Sequence, residues 1–135
     1  MLVAFPDVPP LDPGGGALIV VAGLSVTQQE ELATRARPLL RGVWCLAPPT
    51  APGAEQWWIP LLLAANAAAI WFDSSLDLPL FELGLLVRRQ PPVRLVVGSP
   101  RPEWRSWLQS VLATSGAAPA VWPDLQGLLD EAGRP

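Results

Sequence analysis

The chain contains no lysine, no histidine and no tyrosine; all nine basic residues are arginine, and cysteine and methionine occur once each. Without histidine there is no Ser-His-Asp triad, no Cys-His pair and no histidine metal cluster. Without lysine there is no Schiff-base amine. Any chemistry falls to carboxylates, hydroxyls, backbone amides, arginines or the single thiol. That thiol, Cys45, stands between Trp44 and Leu46 in an apolar run. It reads as a buried small hydrophobe, with a reactive role as the alternative, and a lone cysteine suits a reducing cytosol.

Charge is sparse as well. Only 16% of residues are charged and the net charge is −3, which leaves no basic footprint for nucleic acid or an anionic membrane. The most apolar window, residues 61–72, is too short to cross a bilayer and is interrupted by Asn66. Residues 1–10 hold an acid, three prolines and no basic start, so no signal peptide is expected. These absences together describe a soluble cytoplasmic protein.

What the chain does have is apolar content, half of its 135 residues, enough for the core of one domain over residues 1–135. Its seventeen prolines fall between apolar runs, where they punctuate the fold. Residues 1–16 end in Pro13-Gly14-Gly15-Gly16, show no periodicity and read as a flexible arm. Residues 17–22 (ALIVVA) form a continuous apolar run, the mark of a strand buried on both faces of a parallel sheet. Gly23-Leu24-Ser25 turns the chain. Ser25 with Gln28, or Thr27 with Glu30, offers a capping box that opens a helix to about Arg37.

The same alternation continues. A strand is expected at 43–47, then a helix at 54–65 that Pro60 kinks or delays. A third strand at 67–72 precedes a helix at about 80–89, with Arg88 and Arg89 at the negative end of its dipole. A strand at 93–97, a helix at 102–114 and a short strand at 120–122 follow, and Asp124 caps a final helix to about residue 132. The pattern predicts an α/β fold, a flavodoxin- or Rossmann-like three-layer sandwich around a five-stranded parallel sheet of order 2-1-3-4-5.

In such sheets ligands lie beyond the carboxyl ends of the strands, at the switch point between the first and third strands. Gly23, Leu24 and Ser25 follow the first strand, Asp73 and Asp77 the third, and Glu82 opens the next helix. Gly98 and Ser99 follow the fourth strand and are expected to border the same cleft. Each also has a plainer role. Glu82 suits a helix amino end, Ser25 a cap, Asp73 a loop cap and Asp77 a solvated turn. There is no G-x-G-x-x-G and no G-x-x-x-x-G-K-S/T, so a dinucleotide or P-loop site is unsupported. Trp57 and Trp58 either cover the cleft or pack their helix on the sheet. Trp104 and Trp107 are expected on the core face of a later helix, and Trp44 and Trp71 in the core.

The run Ala65-Asn66-Ala67-Ala68-Ala69-Ile70-Trp71-Phe72-Asp73, followed by Phe81-Glu82-Leu83-Gly84, carries a family likeness. With the opening strand and its Ala22-Gly23 turn, and with Pro92-Val93-Arg94-Leu95-Val96-Val97-Gly98, it resembles the nucleoside 2-deoxyribosyltransferase-like family in its short bacterial members. The resemblance implies that Glu82 attacks the anomeric carbon of a deoxyribosyl group and expels the base, and that water or a second base then takes the sugar. It implies a proton donor for the base in Asp73 or Asp77, and a sugar or base lying against Gly23 and Ser25. Asn66 stands where the family usually has an aspartate that helps position the sugar or the nucleophile. No cofactor and no metal are implied. The partner is a small nucleoside or nucleotide, and a homo-oligomer is the usual assembly. The alternatives are a nucleoside- or nucleotide-binding module that has lost the chemistry, or an oligomeric interaction protein of the same fold.

Overall fold

A single all-parallel sheet of six strands organises the protein in the computed structural model, which describes residues 2–9, 17–35 (Arg35 by its backbone alone), 42–73, 78–114 and 120–134. Its elements in chain order are β1 (Leu2–Val3), β2 (Leu18–Ala22), α1 (Val26–Arg35), β3 (Val43–Leu46), α2 (Ala54–Ala64), β4 (Ala67–Trp71), α3 (Leu80–Val87), β5 (Arg94–Gly98), α4 (Pro102–Thr114), β6 (Val121–Trp122) and α5 (Leu125–Ala132). The order across the sheet is β1-β3-β2-β4-β5-β6. Five of these strands keep the expected 2-1-3-4-5 arrangement.

The sixth strand corrects the sequence reading. Leu2 and Val3 pair in parallel with Trp44 and Cys45, along the outer edge of β3. Residues 1–16 were expected to form a flexible arm or loop, and Leu2–Val3 depart from that expectation by forming a strand. Two residues cannot express a hydrophobic period, so only the open edge of β3 reveals the strand.

The sheet is buried on both faces, as the uninterrupted apolar strands require. Every residue of β2, β3 and β4 is buried. Side chains alternate between two cores. Leu18, Val20, Ala68 and Ile70 point to the layer of α2, α3 and α4, where they meet Leu62, Leu83 and Leu108. Ile19, Val21, Ala69 and Trp71 point to the layer of α1 and α5, where they meet Leu32, Leu128 and Ala132. On α4 the inward stripe runs through Leu108 and Leu112, four residues apart. Trp107 lies off that stripe and is 41% exposed, so the expectation that it is a core residue fails. It meets the ring of Phe72 at 6.5 Å and that of Trp104 at 5.6 Å at the edge of the layer.

Local signals explain the helix ends. Of the two capping boxes available to α1, Ser25 and Gln28 form one: Gln28 N–H donates to Ser25 Oγ at 3.2 Å, and Ser25 N–H donates to Gln28 Oε1 at 2.9 Å. Asp124 accepts the Gly127 N–H at 2.8 Å and starts α5. Pro60 lies inside α2. Carboxyl ends are closed by arginines reaching across the fold. Arg89 donates from Nη1 to the carbonyls of Leu62 (3.1 Å) and Ala65, at the end of α2. It therefore caps a neighbouring helix, beyond the dipole role expected in its own. Arg94 likewise holds Glu131 O at 3.0 Å and Ala132 O at 2.6 Å at the end of α5.

Charge-assisted bonds to otherwise unpaired helix carbonyls are worth about 1–3 kcal/mol. Arg89→Met should lower unfolding free energy by roughly that amount, seen as a lower urea midpoint at unchanged slope. A midpoint equal to that of the parent protein would mean the α2 carbonyls are as well served by water.

Candidate active site

The sheet order creates the cleft. β2 leads through α1 to β3 on one side, while β4 lies on its other side, so the loops leaving β2 and β4 diverge. Between them lies an open cleft of about 770 Å³, within the size range of small-molecule sites. The turn after β2 supplies Gly23, Leu24 and Ser25, β4 leads to Asp73, and α3 brings Glu82. Pro48, Pro49 and Thr50 after β3 close a further wall that the sequence did not single out.

Gly23 forms the floor where β2 and β4 part. Its φ is +91°, and a Cβ built there would lie 1.8 Å from the carbonyl oxygen of Trp71. That oxygen belongs to the backbone of a buried strand and cannot move aside. Only glycine fits. Ser25 serves α1 through both halves of its capping box. Its neighbour Gln29 donates from Nε2 to Leu24 O at 3.3 Å and steadies the turn.

Glu82 lies in the first turn of α3, beside a cap, Pro79, that offers no side-chain acceptor. An acid there is ordinary: Glu55 opens α2 and Glu103 opens α4 in the same way. What separates Glu82 is its surroundings. It is half-buried, it lines the cleft, and its Oε1 accepts the indole N–H of Trp58 at 3.2 Å. Trp58 is 4% exposed and stacks on Trp57, with ring centroids 6.0 Å apart and planes 13° from parallel. Trp57 Nε1 donates to Asp7 O at 2.7 Å, and Phe5 meets its ring edge-on at 5.7 Å. The tryptophan pair thus links the amino-terminal segment to the candidate carboxylate. Neither sequence reading of the pair anticipated this bond, because it joins residues 24 apart on two helices.

Asp73 also reaches the cleft. Its Oδ1 lies 3.9 Å from Arg101 Nε, and both side chains are about half exposed, 45% and 49%. The pair is therefore weak.

Three sequence candidates stand elsewhere. Asn66 precedes β4 at the amino end of the sheet, opposite the cleft. Its Oδ1 accepts Leu18 N–H at 2.7 Å, its N–H donates to Leu18 O at 2.8 Å, and its carbonyl accepts from Arg94 at 3.2 Å. It ties three strands together and has no place in the site. Sequence reading fixed its strand but not which end of the strand mattered. Ser99 is fully buried, its Oγ donating to Phe72 O and accepting Arg101 N–H at 3.2 Å. Gly98 is crowded too, since a Cβ there would meet Trp122 O at 2.6 Å. Both lock β5 to its neighbours, and neither lines the cleft. Asp77 lies outside the described residues. Among the described residues no group of three potential metal-ligating side chains forms, and no helix is long and apolar enough to cross a membrane.

Compared with protein-family models and with curated proteins, the chain matches none. The site therefore has to be judged on its own geometry.

Cys45, the alternative reactive group, is fully buried in β3, away from the cleft lining. Burial pushes its thiol up to about 11. The thiolate, the reactive form, is scarce at neutral pH. Modification of Cys45 by a thiol reagent at pH 8 should follow global unfolding, and rapid labelling of the folded protein would contradict its burial. Gly23→Ala should lower stability by at least about 2 kcal/mol, since a left-handed backbone and a backbone clash act together. Chemical denaturation measures this, and a parent-like midpoint would show that the turn can move off Trp71.

Proposed function

We propose that this protein is a nucleoside 2-deoxyribosyltransferase-like enzyme that cleaves or exchanges the N-glycosidic bond of a nucleoside or nucleotide, with Glu82 as nucleophile. The observation that carries this reading is the Glu82 carboxylate, lining the switch-point cleft and held by Trp58 Nε1–H at 3.2 Å. In the first step a Glu82 oxygen bonds to the anomeric carbon as the bond from that carbon to the base nitrogen breaks. The electron pair leaves with the base, which gains a proton. In the second step water or another base attacks the same carbon and the ester oxygen of Glu82 departs. Two displacements at one centre give net retention.

The remaining roles follow from position. Asp73 is the described acid at the cleft edge and the candidate to protonate the leaving base. Asp77 is the second candidate by sequence. Gly23, Leu24 and Ser25 form the wall against which sugar or base would rest. Gly23 has no side chain, so ligand and backbone can approach closely. Two things support this reading: the resemblance of the segments around Glu82 to the family, and the cleft that Glu82 lines.

A binding module without turnover is the competing reading, and one experiment separates the two. Deoxynucleosides, ribonucleosides and their 5′-phosphates are incubated with the protein, and free base is measured by chromatography. Release of base by the parent protein, reduced at least about a thousandfold in Glu82→Ala of unchanged fold, is the expected result. Ligand-dependent stabilisation with no base released from any substrate would select the binding module.

A further inference from the structure

A glutamate in a first helical turn has three rotatable bonds, and at the rim of an open cleft its carboxylate samples many positions. A nucleophile must be held near its attack geometry, where a displacement of about 1 Å costs on the order of a hundredfold in rate. Here the holding group is visible. The indole N–H of Trp58 is a donor with no acceptor function, and its ring is 4% exposed. Its partner is Glu82 Oε1 at 3.2 Å.

We propose that Trp58 is a positioning residue for Glu82, and that the amino-terminal segment sets it through Trp57. This rests on the reading of Glu82 as nucleophile. The indole fixes one carboxylate oxygen and so directs the other, Oε2, toward the substrate. The direction of the indole is itself fixed. Trp57 stacks on it within 13° of parallel, and Trp57 is held by the Asp7 carbonyl at 2.7 Å and by the edge of Phe5. β1 anchors that segment to β3 through the pairs Leu2 with Trp44 and Val3 with Cys45. A chain of contacts therefore runs from the sheet edge to the carboxylate of Glu82, ending on Oε1. Its members are three rings, those of Phe5, Trp57 and Trp58, with one indole hydrogen bond to backbone and one to carboxylate. A buried indole N–H requires an acceptor, and for Trp58 that acceptor is the carboxylate lining the cleft, where Trp57 uses a backbone carbonyl.

The test is Trp58→Phe, which keeps an aromatic ring and deletes the donor. Two readouts are taken on the full chain. The first needs no turnover: side-chain 13C relaxation of Glu82 is measured in parent and variant. The Glu82 side chain should be rigid in the parent and mobile on the nanosecond scale in Trp58→Phe, and the Trp58 indole N–H resonance of the parent should shift in Glu82→Ala. The second is kinetic. kcat should fall about 10- to 100-fold with KM changed less than about threefold, the mark of lost orientation. Equal Glu82 rigidity in parent and variant overturns the proposal, and so does an indole resonance indifferent to Glu82→Ala. Parent-like kcat in a variant with a mobile Glu82 overturns it as well. An absence of base release by the parent overturns the proposed reaction instead, and the relaxation result still decides whether Trp58 holds the carboxylate. If Trp58→Phe does not fold, Trp57→Phe carries the test. It loses the bond to Asp7 while keeping the stack, and it should give a smaller change in the same readouts; none in either would overturn the proposal.

Discussion

Where β2 and β4 end, the backbone of Gly23 presses against the carbonyl of Trp71, closer than any side-chain carbon could come. The two strands are neighbours in the sheet, with Ala22 opposite Ile70, so their last residues must separate within one step. Glycine lets the first turn inward with a positive φ before it rises into α1. The capping box at Ser25 then fixes the start of that helix. Cleft floor, cleft wall and helix direction all follow from this one approach. Had the turn carried a side chain, the strands would part further and the site would lose its closed end.

Charge is arranged around the same axis. Acids open four of the five helices at the cleft end of the sheet, Ser25 serving α1 instead: Glu55, Glu82 and Glu103 lie in first turns, and Asp124 is a cap. Arginines close helices at the opposite end, with Arg89 on the carbonyls of α2 and Arg94 on those of α5. The distribution complements the helix dipoles. It also explains why arginine alone serves as the basic residue at these points. One guanidinium reaches several carbonyls in a fork, which an ammonium on a flexible stem does less well. Glu82 belongs to this pattern, and it departs from it only through Trp58 and the cleft.

The parts of the fold legible in sequence were those with local causes. A run such as residues 17–22 (ALIVVA) declares a buried parallel strand, Ser25 with Gln28 declares a helix start, and Asp124 declares another. Strand order followed because the alternation leaves few arrangements. Gly23, Leu24, Ser25, Asp73 and Glu82 came to one cleft for the same reason. What was hidden depends on distant partners. Asn66 looked like a site residue because its strand enters the site, but its side chain binds at the other end of that strand. Ser99 follows a strand at the cleft side, yet its hydroxyl is spent on the backbone of Phe72. Trp58 showed no sign of its carboxylate partner, since the bond crosses from α2 to α3. β1 was invisible because two residues carry no pattern.

That short strand has a consequence of another kind. Without it, β3 would be the edge of the sheet, and its Val43–Leu46 run is wholly apolar and buried. An exposed apolar edge is a template on which another chain can add a strand. β1 covers it, and because β1 is two residues long it offers a newcomer little to pair with. The opposite edge ends the same way, in the two residues of β6. A sheet whose inner strands are four or five residues long and largely buried is thus ended on both sides by two-residue strands, which give a newcomer little to pair with and so guard against edge-to-edge aggregation.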